Sequence, residues 1–112
     1  MPNQLEQLDL VFQALTDGTR RAVLKRLSRG PASVSNLAKP FDMALPSFMQ
    51  HLSVLENCKL VRSEKSGRVR VYYLTPQPLE AAEGWLERQR TLWETRLDQM
   101  DAYLLELKEK EK

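Results

Sequence analysis

The chain has 112 residues, of which 42% are hydrophobic and 29% charged, with a net charge of +2. That length suits one domain, and that balance excludes wholesale disorder. A single cysteine, Cys58, excludes a disulfide framework and a cysteine-rich metal site within one chain.

Residues 1–7 lack the basic region and apolar run of a signal peptide, and no apolar run approaches the length of a membrane span. The expected location is the cytoplasm, with no membrane partner. Charge is unevenly spread. Between residues 59 and 70, Lys59, Arg62, Lys65, Arg68 and Arg70 face the single acid Glu64. A local basic strip on a nearly neutral chain points to one face that meets a polyanion.

The first helical stripe is Leu5, Leu8, Val11, Phe12 and Leu15, at spacings of three and four. Thr16 or Asp17 then offers a cap for a second helix, with Ala22, Val23, Leu24 and Leu27 inward and Arg20, Arg21, Lys25 and Arg26 around them. Gly30-Pro31 stops it. Ser33 caps a short third helix, 34–39, with Val34, Leu37 and Ala38 inward, and Pro40 ends it. A fourth helix is expected over about 45–57, Pro46 being tolerated in its first turn, with Leu45, Phe48, Leu52 and Leu55 as its inner face. Residues 60–64 read as a strand, 65–68 as a turn, and 69–74 alternate with strand period two. Thr75-Pro76-Gln77-Pro78 breaks the chain. A last helix runs from about 79 to 108 on a three-four pattern through Leu86, Trp93, Leu97, Met100, Leu104 and Leu107.

Helix, helix, short helix, helix, hairpin, long helix is the order of a winged helix-turn-helix. The fold class expected is mainly α with a small β-hairpin. The second helix of such a motif enters the major groove of duplex DNA, which admits one α-helix. Ser47, Met49, Gln50 and His51 are the candidate readers on the fourth helix. Gln50 suits adenine, while Ser47 and His51 suit a phosphate or a base edge. Lys65, Arg68 and Arg70 on the wing, then Arg20 and Arg21, are the candidate phosphate holders. A solvated polar face and a charged turn are each common alone; the two in this order carry the reading. His51 has no cysteine or histidine companion at ligand spacing, so no metal site is expected. Cys58, beside Leu60, reads as a half-buried structural thiol. No Gly-rich phosphate loop or Ser/His/Asp set is present, so neither an enzyme nor a cofactor is expected. Trp85, Leu86, Leu92, Trp93 and Leu97 make an apolar face broader than one small domain needs, which favours a homodimer.

The chain resembles the ArsR-like family of bacterial regulators. The segments that carry the likeness run from Ala14 to Leu27, from Ser35 to Ala38, from Leu45 to Glu56 and from Leu60 to Leu74. Most specific in combination are the Asp17–Arg21 stretch, the His51-Leu52 pair before Val54-Leu55-Glu56, and the Gly67-Arg68 wing turn. The resemblance implies a dimeric winged-helix repressor whose fourth helix reads DNA and whose first and last helices form the dimer. Metal-sensing members carry a Cys-x-Cys motif on the third helix, or His and acidic ligands on the last. Here the third-helix segment, Ser33 to Ala38, lacks cysteine and the last helix lacks histidine, which points to the branch that does not sense metals. Met49 stands where many members have serine. Lys59 stands where a glycine is common, so it must adopt a left-handed conformation or the turn must be built differently.

The resulting reading is one domain over 1–112, with a dimerisation helix at 1–15, the helix-turn-helix and wing at 17–74, and a dimerisation helix at 79–108. The dimer interface is expected to use Leu5, Leu8, Phe12, Trp85, Leu86, Trp93, Leu97, Met100 and Leu104. The partners are double-stranded DNA, a second copy of the chain, and a small-molecule effector whose identity nothing in the sequence marks. Two alternatives stand beside it. One is a winged-helix interaction module without DNA binding; the other is a thiol redox switch through Cys58.

Overall fold

The computed structural model describes residues 4–111. Residues 1–3, part of the stretch read for a signal peptide, and Lys112 of the Lys/Glu tail lie outside the described residues. The chain divides into two compact units, one ending at Ala82 and one starting at Glu83.

In the first unit the order is α1 (Gln4–Ala14), α2 (Gly18–Leu27), β1 (Ala32–Ser33), α3 (Val34–Ala38), α4 (Leu45–Asn57), β2 (Val61–Ser66) and β3 (Val69–Leu74). α5 (Gln77–Lys110) begins here and continues as the second unit. The sheet has three antiparallel strands in the order β1-β3-β2. β1, pairing Ala32 with Tyr72 and Ser33 with Val71, was not foreseen from sequence. Two residues between a helix stop and a helix cap carry no period to read.

Local chemistry explains the helix ends. Asp17 caps α2 by accepting a hydrogen bond from the Arg20 backbone N–H at 3.1 Å. Ser33 caps α3 by accepting from the Asn36 N–H at 3.2 Å. α4 closes in a Schellman turn. Lys59 sits in the left-handed region at φ 68°. The Lys59 N–H donates to the Glu56 carbonyl and the Leu60 N–H to the Leu55 carbonyl, both at 3.1 Å. Leu55 and Leu60, the apolar pair that accompanies this motif, are both fully buried.

The core joins Val11 and Ala14 of α1, Val23 and Leu27 of α2, Leu37 of α3, Phe48, Leu52 and Leu55 of α4, and Tyr72 of β3. Phe41, from the turn before α4, packs on Phe48 with ring centroids 5.5 Å apart. Burying each large apolar side chain contributes about 1.5–3 kcal/mol, so α4 is anchored mainly through Phe48, Leu52 and Leu55.

Two inward assignments are corrected. Leu45 is 56% exposed; it continues the line of Phe48, Leu52 and Leu55 but lies in the first turn of α4 and stays out of the core. Ala22 is exposed as well, because α2 meets the core through Val23, Leu24 and Leu27. The wing turn is tighter than expected. Lys65 and Ser66 belong to β2, and only Gly67 and Arg68 turn, with Gly67 at φ 65°.

α5 spans 34 residues, about 50 Å at 1.5 Å per residue. From Glu83 onward it is one helix whose apolar residues are largely bare, Leu86, Trp93, Leu97, Met100 and Leu104 being 52%, 68%, 58%, 59% and 52% exposed. Among the described residues no helix is long and apolar enough to cross a membrane.

Candidate nucleic-acid interface

α4 presents one face away from the core. With Phe48, Leu52 and Leu55 buried, the outward side carries Ser47, Gln50, Ser53 and Asn57, all exposed. Ser47 and Gln50 were expected there. Ser53 and Asn57, three and seven residues beyond Gln50, were missed. A helical projection centred on Phe48, Leu52 and Leu55, without Leu45, exposes them. Met49 is only partly exposed and packs against the core, as does Val54.

His51 is intermediate in burial and already engaged. Its Nδ1 lies 3.2 Å from Arg20 Nη1 and 3.7 Å from Asp17 Oδ2. A guanidinium can only donate, so Nδ1 accepts and Nε2–H is left as the ring's donor. The Asp17 carboxyl is held below its ordinary value, first by the backbone hydrogen bond from Arg20 and further by the charge of Arg20, joined by that of His51 when its ring is protonated, against a desolvation effect that raises it. Asp17, Arg20 and His51 therefore join the start of α2 to the middle of α4.

Arg20 does more. Its Nε donates to the Ala14 carbonyl at 2.8 Å and its Nη2 to the Gln13 carbonyl at 3.1 Å. Arg21 Nη1 donates to the Leu15 carbonyl at 2.6 Å. The last carbonyls of a helix have no partner within it and carry the negative end of its dipole. Both arginines satisfy that end of α1. In these bonds the acceptors are backbone oxygens.

The wing separates its cations by face. On one side Arg62 lies 4.3 Å above the centre of the Tyr73 ring and 2.5 Å from Glu64 Oε1, so its charge is largely answered within the hairpin. On the other side Lys65 and Arg70 stand directly opposite one another, with Arg68 at the tip, all exposed. Arg70 Nη1 donates to Ser63 Oγ at 2.9 Å. Lys65 and Arg68 have no acidic partner among the described residues.

Cys58 is 1% exposed rather than half-buried, and its thiol donates to the Leu55 carbonyl at 3.3 Å. Burial pushes its pKa up. The thiolate is the reactive form, so this environment works against a redox switch. Its own carbonyl accepts from Gln7 Nε2 at 2.5 Å, tying α1 to the end of α4. Among the described residues no three His, Cys, Asp or Glu side chains gather where they could hold a metal ion.

The comparisons agree with this geometry. Residues 15–64, from the end of α1 into β2, match a helix-turn-helix domain family. The chain is 44% identical over 80 residues to the HTH-type transcriptional regulator Rv2034 of Mycobacterium tuberculosis, covering 71% of this chain and 75% of that protein. Among solved structures, it is similar to the ArsR family transcriptional regulator RHA00566, with 58% identity and a TM-score of 0.78 over 84% of this chain and 97% of that one. It is also similar to Mb0332 of Mycobacterium bovis, described as a homodimeric winged helix-turn-helix DNA-binding domain, with 25% identity and a TM-score of 0.61 over 81% of this chain and 82% of that one. With a winged helix-turn-helix, a basic wing and relatives of this identity and coverage, the chain belongs to the ArsR family of DNA-binding transcriptional regulators.

Proposed function

We propose that the chain acts as a homodimeric repressor on an inverted-repeat operator, with α4 in the major groove and the wing on the flanking phosphates. The observation that carries this reading is the Lys65–Arg70 pair. Two exposed cations stand in register at the free end of a hairpin that Ser63 ties to Glu56 of α4. Ser47 and Gln50 read base edges, while His51 contributes its Nε2–H and Met49 an apolar edge. Lys65, Arg68 and Arg70 hold phosphates. Arg20 and Arg21 rank below them, because Arg20 already donates to two α1 carbonyls and His51, and Arg21 to the Leu15 carbonyl. Two α4 helices about one DNA turn apart would meet successive grooves on one face of the duplex.

Self-association draws support from α5. Leu86, Trp93, Leu97, Met100 and Leu104 fall on one side at spacings of seven, four, three and four. A bare apolar stripe of that length is stable in water only when covered. A second copy of α5, with Leu5, Leu8 and Phe12 of α1 contributing, is the proposed cover. Mb0332, a homodimer by its description, lends the reading further support.

The test is binding of the purified chain to its own upstream duplex and to a scrambled duplex across a salt series. Arg68→Ala should weaken both and reduce the salt slope by about one. Gln50→Ala should lose roughly 1–3 kcal/mol on the upstream duplex alone. Light scattering should give twice the 13.0 kDa chain mass, and Trp93→Glu with Leu97→Glu should return it to one. Equal, salt-independent affinity for both duplexes, or a monomer throughout, would overturn the corresponding half of the reading.

A further inference from the structure

A chain of hydrogen bonds runs from the middle of the molecule to the wing. Glu56 lies on α4, one residue before its end. Its Oε1 accepts from the Ser63 hydroxyl at 2.7 Å. Ser63 Oγ in turn accepts from Arg70 Nη1 at 2.9 Å. Ser63 stands opposite Tyr72 across the β2–β3 ladder. A serine hydroxyl has one donor and two lone pairs. The donor and one lone pair are occupied, by partners from α4 and β3.

These residues share one face of the hairpin. Val61, Ser63 and Lys65 alternate along β2 and face Leu74, Tyr72 and Arg70 of β3. At the inner end of that face Val61 and Tyr72 are buried, and at the outer end Lys65 and Arg70 are exposed. Ser63 is the midpoint, where the buried end changes to the charged end.

We infer that Ser63 is a positioning residue for DNA binding, linking Glu56 of the groove-facing helix to the Arg70 guanidinium and so setting where the wing's charge lies relative to α4. The inference rests on the wing reading proposed above. A free arginine carries rotamer entropy that contact with a phosphate must overcome. Arg70 surrenders part of it to Ser63 in advance, leaving its remaining N–H groups to point at the ligand. Glu56 alone could not serve, since an anion directly beneath the guanidinium would compete with the phosphate. The neutral hydroxyl between them transmits position and separates the charges.

The experiment measures affinity for the upstream duplex, at several salt concentrations, for the parent, Ser63→Ala, Ser63→Thr, Arg70→Ala and the Ser63→Ala/Arg70→Ala pair, with a thermal melt of each. Ser63→Ala should bind about fivefold more weakly while melting close to the parent, and Ser63→Thr, which keeps the hydroxyl, should restore most of that. Arg70→Ala should bind more weakly still and lower the salt slope by about one. The double variant should bind no more weakly than Arg70→Ala, because Ser63 acts only through the arginine. Arg70→Lys guards against a folding artefact. It changes an exposed residue and keeps the charge but lacks the guanidinium fork, so it should lose affinity in the parent and none in the Ser63→Ala background. Additive single effects, or parent-like binding by Ser63→Ala when Arg70→Ala is impaired, would sink the positioning role alone. Parent-like binding by Arg70→Ala would sink the wing reading and this inference with it.

Discussion

Lys65 and Arg70 face one another across the last rungs of the β2–β3 ladder, just before the Gly67-Arg68 turn. Like charges directly opposite in an antiparallel pair destabilise it by some tenths of a kcal/mol. The hairpin keeps this pair where a neutral one would fold better. A polyanion bound at the wing, as proposed above, would reverse the sign of the effect.

Lys65→Glu should therefore separate stability from binding. Opposite charges in register should stabilise the hairpin by about 0.5 kcal/mol, seen as a small rise in Tm. Duplex affinity should fall, and the salt slope with it. A variant that lost affinity but kept the parent's slope would place Lys65 away from phosphate.

Lys59 offers a stabilising change with no effect on function. At φ 68° it occupies a region that disfavours side chains with a Cβ. Lys59→Gly relieves that strain and, after the larger entropy of an unfolded glycine, should stabilise by about 0.5–1 kcal/mol. Urea unfolding should show a higher midpoint at an unchanged m value. Affinity for the duplex should stay within twofold.

Arg20 should behave as a structural residue. It donates to two α1 carbonyls and to His51. Arg20→Ala leaves the end of α1 and His51 without these partners and should cost about 2 kcal/mol in chemical denaturation. The salt slope of DNA binding should remain that of the parent. A slope lower by about one would restore Arg20 to the phosphate set.

Asp17 gives a pH dependence whose sign follows from its depressed pKa. The carboxylate is favoured in the folded chain, so its contribution is complete above the ordinary value of 3.8 and is lost as pH falls below it. Asp17→Ala, which removes the α2 cap, should lower the urea midpoint at neutral pH. The gap between the two proteins should narrow as the pH is taken below 3.8. A gap that is constant through acid would assign the effect to the helix cap's shape rather than its charge.

Much of the architecture was legible along the chain because its signals are local. Gly30-Pro31 and Pro40 stop helices by φ restriction and missing donors, wherever they stand. Ser33 and Asp17 cap the helices that follow them within three residues. The four-three spacing of Phe48, Leu52 and Leu55 specified a helix with one buried face, and the period of two over 69–74 specified a strand. With the cations of 65–70, this order already implied a winged reader of DNA.

Tertiary structure decided the rest, since it depends on which distant groups meet. Leu45 belongs to the right pattern but falls in the first turn of α4, where it stays exposed; a period cannot say where a core ends. Alternation in β3 did not say which phase faces inward, and packing against the helices chose Tyr72. Arg20 and Arg62 count equally as cations in the sequence, yet one is bound to α1 carbonyls and the other lies over Tyr73. Sequence determined which kinds of residue the interface would use. Only the meeting of α4, β2 and β3 decided which of its charges find a partner within the chain and which do not, because neutralisation and burial act between elements that are far apart along the chain.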